Sequence, residues 1–105
     1  MASGEGEMAD TDYQVEREED EDGGRYVVRL APGYEGEMTF RRIDRSTIAI
    51  DHTGVPPEFR GRGIAERLVN RAIADARAEN GKIVPLCSYV VAQFRRHPEW
   101  ADLRA

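Results

Sequence analysis

The sequence predicts an α+β fold with the element order β-β-β-α-β-α and a mostly antiparallel sheet. Between residues 25 and 53, three segments rich in β-branched and aromatic residues alternate in polarity and are separated by turn-forming residues. Residues 64–80 instead place apolar side chains three to four positions apart, which is typical of an amphipathic helix. A short apolar strand and a second helical segment follow. With 105 residues, the chain has room for one domain.

The three segments before the long helix predict a meander of antiparallel strands. Their predicted bounds are residues 25–30, 37–43 and 46–53. Met38 and Phe40 fall on one face of the second strand, because side chains alternate along a strand. In the third strand the same alternation places His52 on one face with Ile48 and Ile50. We therefore expect His52 at the apolar face of the sheet.

Prolines and glycines mark the bounds of the later elements. Pro56 and Pro57 end the third strand, because proline cannot donate to the hydrogen-bond ladder. The long helix ends at Asn80-Gly81, a typical C-cap pair. The elements predicted after it are a buried strand over residues 82–87 and a helix over residues 89–97. Ser88 is the predicted N-cap of that last helix.

Charge is distributed unevenly along the chain. The net charge is -5, but residues 1–24 carry ten acidic and one basic side chains, whereas residues 25–105 carry fourteen basic and ten acidic ones. An acidic segment with few apolar residues is typical of disorder. We therefore predict a largely disordered tail over residues 1–24, in which Tyr13 and Val15 could start an edge strand, and a single domain over residues 25–105.

The strongest functional signal lies between the third strand and the long helix. Gly61 and Gly63 there allow a ligand to approach the backbone closely. The first amides of a helix lack internal partners and lie at its positive end, so they bind phosphate groups. Arg60 and Arg62 add positive charge beside them. These features predict a phosphate or pyrophosphate site, although a tight strand-to-helix turn would use the same glycines.

Two common nucleotide-binding motifs do not fit this segment. A dinucleotide-binding fingerprint requires a third glycine, and here Gly63 is followed by Ile64, Ala65 and Glu66. A P-loop requires Gly-Lys-Ser/Thr, which does not follow either. Both nucleotide-binding classes are therefore disfavoured.

The loop resembles motif A of the GNAT superfamily of acetyl-CoA-dependent N-acetyltransferases, which reads Gln/Arg-x-x-Gly-x-Gly/Ala. The matching residues here are Arg60-Gly61-Arg62-Gly63-Ile64-Ala65. The chain is similar in particular to a short GNAT-like subfamily. The further motifs of that subfamily correspond to His52-Thr53-Gly54-Val55-Pro56-Pro57, Pro85-Leu86-Cys87 and His97-Pro98-Glu99-Trp100. The resemblance covers residues 25–103.

This resemblance implies a minimal GNAT-like fold, with a mixed sheet splayed open at the third strand and acetyl-CoA bound there. The pyrophosphate would lie on the loop amides, and the pantetheine arm would pair with the third strand. The residues implied to bind coenzyme A are Thr53, Gly54, Val55, Arg60, Gly61, Arg62, Gly63, Ile64 and Ala65. The implied function is an acetyl-CoA-dependent N-acetyltransferase acting on an amine, of a small molecule or a protein lysine. A non-catalytic CoA-binding module that acts through a protein partner is the alternative.

Cys87 and His52 are the candidate catalytic residues. Cys87 follows a strand and precedes a helix, whose N-terminus would favour its thiolate. It could act as a base, as an acid towards the CoA thiolate or as an acetyl carrier, or it could be a small core residue. His52 could act as a base, or it could be a structural histidine that is hydrogen-bonded at the end of the strand. Tyr89 is a weaker candidate proton donor, and His97 fits a helix cap.

Composition narrows the partners further. No segment approaches the length of a membrane span, and the acidic N-terminus lacks the pattern of a secretory signal. The lone cysteine fits a reducing cytoplasm and, with two distant histidines, argues against a metal site. The scattered arginines do not interleave with aromatic residues, so nucleic-acid binding is not expected. We expect a cytoplasmic monomer or weak homodimer whose acidic tail either adds solubility or screens the cofactor site.

Overall fold

The computed structural model describes residues 13–105, which form five strands and two α-helices in the order β-β-β-β-α-β-α. The elements are β1 (Val15–Glu19), β2 (Gly23–Ala31), β3 (Tyr34–Arg42), β4 (Thr47–Gly54), α1 (Ile64–Glu79), β5 (Lys82–Pro85) and α2 (Ser88–Arg96), with 3-10 turns at Pro57–Phe59 and Pro98–Leu103. The strands lie in sequence order in one sheet, in which β1 to β4 are antiparallel and β5 runs parallel to β4. The predicted α+β class with a mostly antiparallel mixed sheet is confirmed.

Strand β1 is an addition to the predicted order of elements. It pairs along its full length with β2, inside the segment that the sequence predicts as a tail. Tyr13, just before β1, is only 3% exposed and belongs to the apolar core. The predicted boundary at residue 24 is therefore wrong, because the folded domain already includes residues 13–24. The rest of the predicted tail, residues 1–12, lies outside the described residues.

Arginines of β2 form ion pairs with the carboxylates on either side of them. Successive side chains of a strand point to opposite faces, and Tyr26, which follows Arg25, contacts Asp75 of α1. Arg25 and Arg29 therefore lie on the other face of the sheet, which α1 does not cover. Arg25 pairs with Glu18, Glu35 and Glu37, and Arg29 pairs with Glu16, Glu18 and Glu35. Each exposed pair contributes little alone, but together they neutralise the acidic strand. The acidic and basic segments of the sequence thus meet as neighbouring strands.

A polar cluster joins β1 and β2 to α1. The Asp75 carboxylate accepts hydrogen bonds from the Tyr26 hydroxyl at 2.8 Å, from Arg17 at 3.0 Å and from Arg71 at 3.2 Å. Burial acts to raise the pKa of Asp75, but the hydrogen bonds from these three donors outweigh it and lower the pKa below its usual value. Burial and the nearby Asp75 raise the pKa of Tyr26, so its hydroxyl remains a donor. One carboxylate therefore holds three elements together.

Replacing Asp75 with asparagine is expected to lower the free energy of unfolding by about 1 kcal/mol at neutral pH, because charge-assisted hydrogen bonds become neutral ones. The pKa of Asp75 is lowered in the folded protein, so its stabilisation is present above the usual carboxyl pKa of about 4 and is lost as the pH falls below it. Urea unfolding should therefore show a smaller difference between variant and parent in acid than at neutral pH.

Asp102→Asn is the control for this comparison, since Asp102 forms an exposed pair with Arg77. We expect it to leave the urea midpoint at neutral pH unchanged. A loss of stability in Asp75→Asn that is the same in acid and at neutral pH would contradict the role assigned to the charge.

Helix α1 packs on the sheet and matches the predicted amphipathic helix. Its buried residues are Ile64, Leu68, Val69, Ala72, Ile73 and Ala76. The helix ends at Asn80, whose φ of 56° is left-handed, and the Gly81 amide then donates to the Ala76 carbonyl. The predicted C-cap is confirmed. Neither α-helix within residues 13–105 is long and apolar enough to cross a membrane.

Strands β4 and β5 separate near the middle of β4. Their last pair is Ile50 opposite Pro85. Beyond it the amides of Leu86 and Cys87 both donate to the Ile50 carbonyl, and the chain turns into α2. Among the described residues, β4 continues to Gly54 without a strand partner on this side. An opening therefore lies between the end of β4 and the start of α2.

Candidate functional site

A β-bulge in β4 decides which side chains face the opening. Phe40 of β3 lies opposite Ile50, but Thr39 lies opposite His52, so Asp51 is an extra residue in β4. Residues directly opposite each other in an antiparallel pair share a face of the sheet. His52 therefore lies on the face of Thr39, away from the buried face that carries Ile50 and Phe40.

The predicted face of His52 is consequently wrong. The bulge turns its side chain to the other face, where it is exposed. There His52 lines an open cavity of about 370 Å³ together with Glu35 and Glu37 of β3. The next residue, Thr53, lies opposite Met38 and so takes the buried face in its place.

Thr53 and Cys87 meet at the opening between β4 and α2. The Thr53 Oγ1 and Cys87 Sγ atoms are 3.4 Å apart, which is within hydrogen-bonding distance for sulfur. Cys87 is half-buried and is the N-cap of α2, the position predicted for Ser88. Its thiol makes no capping hydrogen bond and contacts Thr53 instead. Of the predicted site residues, the structure thus brings Cys87 together with Thr53, and not with His52.

The loop between β4 and α1 holds two glycines in the left-handed conformation. Gly61 has a φ of 83° and Gly63 a φ of 75°, values that strain any residue with a Cβ atom. Gly63 is the N-cap of α1, and its carbonyl accepts the helical hydrogen bond from the Arg67 amide. The amides of the first turn have no partner within the helix. A Cβ on Gly61 would meet no atom within 4 Å, so the backbone there is open to a ligand.

These elements surround an open cleft of about 520 Å³. The predicted cofactor residues that line it are Thr53, Gly54, Val55, Arg60, Gly61, Gly63, Ile64 and Ala65. Phe59, Glu66 and Tyr89 line it as well. The sequence motifs do not assign these three residues to cofactor binding. Two of them could have been recognised as aromatic residues beside motif positions, since Phe59 lies two positions before Gly61 and Tyr89 two positions after Cys87. Glu66 could have been recognised as an acidic residue in the first turn of α1.

The two arginines of the loop have different surroundings. The Arg60 Nε atom donates to the Val55 carbonyl at 3.2 Å, and Arg60 lines the cleft. The Arg62 guanidinium lies 4.9 Å from the centroid of the Phe59 ring and donates to the Tyr13 hydroxyl at 3.2 Å. Arg62 is not part of the cleft lining. It ties the loop to the start of the described chain, whereas the positive charge at the cleft comes from Arg60.

Tyr89 and His97, the weaker candidates from the sequence, differ in their surroundings. Burial raises the pKa of Tyr89, and the neighbouring Glu66 raises it further, so the Tyr89 hydroxyl can donate a hydrogen bond at the cleft. His97 stacks on Trp100 with 4.0 Å between ring centroids and is the C-cap of α2. The predicted cap role of His97 is confirmed.

Known proteins resemble this chain in sequence and in fold. Residues 25–103 match the family described as GCN5-related N-acetyl-transferase. Protein NATD1 of Xenopus tropicalis is 28% identical over 90 residues, which cover 85% of this chain and 83% of NATD1. The NMR solution structure of a GCN5-like protein from Staphylococcus aureus superposes with a TM-score of 0.63 at 28% identity, over 86% of this chain and 87% of that one. Because the family match spans most of the domain, this chain belongs to the GCN5-related N-acetyltransferases, the GNAT family of acyl-transferring enzymes.

Proposed function

We propose that the protein is an acetyl-CoA-dependent N-acetyltransferase that transfers an acetyl group to an amine. The observation that carries this proposal is the cleft where the edge of β4 beyond its last pair with β5, two left-handed glycines and the N-terminus of α1 converge. Membership of the family supports acyl transfer, and the cleft supports coenzyme A as the carrier of the acyl group. The acceptor is the amine of a small molecule or of a protein lysine.

The residues around the cleft fit coenzyme A. A pyrophosphate needs several donors at close range, which the first-turn amides of α1 and the backbone at Gly61 and Gly63 supply. The positive end of the helix and Arg60 favour the same negative charge. An extended pantetheine arm needs a free strand edge, and within the described residues β4 has one beyond its last pair with β5, at Thr53 and Gly54, with Val55 directly after the strand.

Cys87 and His52 are the proposed catalytic residues, on opposite sides of β4. Acetyl-CoA supplies the acetyl group as a thioester. Cys87, beside Thr53 at the opening, can give a proton to the sulfur that leaves. His52, on the other face, can accept a proton from an amine that arrives from that side. His52 then releases its proton to water and Cys87 takes one up from water, which restores both groups. The net change forms one N–C bond, breaks one S–C bond and moves one proton from nitrogen to sulfur.

A non-catalytic CoA-binding module that acts through a protein partner is the second candidate. The separation of His52 from Cys87 by the sheet favours it, because the two predicted catalytic groups do not meet. Both candidates use the same cleft and the same cofactor. For either one we propose a cytoplasmic location, which the free thiol of Cys87 suits, as a monomer or weak homodimer.

Calorimetric titration with acetyl-CoA, followed by assay of free CoA thiol with a panel of small amines and lysine peptides, tests this proposal. We expect binding, and thiol release that depends on the amine and exceeds the rate without protein. Binding without release for every amine would favour the non-catalytic module. Absence of binding would contradict both candidates.

A further inference from the structure

We infer that Thr53 is a positioning residue for the Cys87 thiol, an inference that rests on the proposed function. The bulge at Asp51 is what brings Thr53 to this face, since an uninterrupted strand would place His52 there. The sequence marks Thr53 only as a backbone contact for the cofactor. Its hydroxyl instead lies 3.4 Å from the Cys87 sulfur, a contact between residues 34 positions apart in the chain.

The contact joins two elements that backbone pairing has already left apart. The ladder between β4 and β5 ends at Ile50 and Pro85, and the chain after β5 turns into α2. Thr53 lies three residues beyond Ile50, on the part of β4 that has no β5 partner. The Thr53 hydroxyl therefore contacts Cys87 across the opening and determines the position of its sulfur atom relative to the cleft.

A hydroxyl suits this task because it can pair with either form of the thiol. It rotates to accept from the S–H group or to donate to the thiolate. Hydrogen bonds to a charged acceptor are about twice as strong as neutral ones, so the contact favours the thiolate. Two other ionisable residues, Glu66 of α1 and Tyr89 of α2, also line the cleft, and the charge of Arg96 acts to lower the pKa of Tyr89. Substitutions of Thr53 leave these three residues unchanged.

Alkylation by iodoacetamide tests this inference on the free protein, because Cys87 is the only cysteine in the chain. Thr53→Val removes the hydroxyl and keeps the β-branched shape, Thr53→Ala removes it without bulk, and Thr53→Ser keeps it. We expect Thr53→Val and Thr53→Ala to slow alkylation about fivefold at neutral pH, while Thr53→Ser stays close to the parent protein. The rates of all four proteins should converge at a pH that ionises the thiol completely.

Equal alkylation rates for all four proteins at neutral pH would overturn the inference. So would slowing by the same factor at every pH, because the hydroxyl would then affect only access to the sulfur. The measurement needs no acetyl-CoA. Failure of this inference is therefore distinguishable from failure of the proposed function, which the acetyl-CoA titration tests separately.

Discussion

Replacing Cys87 with alanine is expected to lower the rate of acetyl transfer by about 100-fold or more, within the usual contribution of a positioned acid or base. The affinity for acetyl-CoA should change little, since the phosphates are proposed to lie on the loop and the N-terminus of α1, and Cys87 belongs to neither. A fall in kcat with an unchanged dissociation constant is the sign of a group that acts in the chemical step. Steady-state kinetics and calorimetry on the same variant measure both quantities.

Leu86→Ala is the matched control for this variant. Leu86 is the neighbouring residue and is 52% exposed, so shortening it leaves the packing and the cleft intact. We expect its rate and its affinity to equal those of the parent protein. A Cys87→Ala variant that turns over within about twofold of the parent protein would contradict the catalytic role. Cys87 would then be a residue that packs against the core.

Replacing Gly61 with alanine is expected to weaken acetyl-CoA binding by about tenfold or more. The φ of 83° costs an alanine about 1 kcal/mol, and relief of that strain would move the loop amides. The new Cβ would also project into the space where the pyrophosphate is proposed to lie. Calorimetry gives the change in affinity, and urea unfolding gives the cost in stability.

Gly33→Ala is a closely matched control. Gly33 also has a φ of 83°, and a Cβ there would likewise meet no atom within 4 Å. It lies in the turn between β2 and β3 and does not line the cleft. The two variants should lose similar stability, but only Gly61→Ala should lose affinity for acetyl-CoA. Equal affinities in the two variants would argue against phosphate contacts at this loop.

Most elements of the fold were predictable because their signals are local. Alternation in β2 to β4 and the helical period of α1 can be recognised in short stretches of sequence. Strand β1 was predictable only as a possible edge strand that starts near Tyr13 and Val15, because Val15 is the only apolar residue among the five in β1. Its pairing depends on arginines of β2, and its attachment to α1 depends on the contact of Arg17 with Asp75, 58 positions away. Short-range composition indicates disorder where these long-range contacts produce a strand.

The candidate site shows the same limit. The glycine loop and the start of α1 were predictable, because glycine spacing and a helix N-terminus are local features. The face of His52 was not, because one extra residue in β4 inverts the alternation and depends on the register with β3. The direction of Arg62 was not predictable either, since its partner Tyr13 lies 49 positions away.

A ¹⁵N NMR titration with acetyl-CoA tests the central claim most directly, namely that the cleft between β4 and α1 holds coenzyme A. We expect the largest chemical-shift changes at the amides of residues 60–65 and 53–55, smaller ones at Cys87, and none in the β1–β2 turn at residues 20–22. Changes confined to surfaces outside the cleft, or no changes at a large excess of acetyl-CoA, would contradict it.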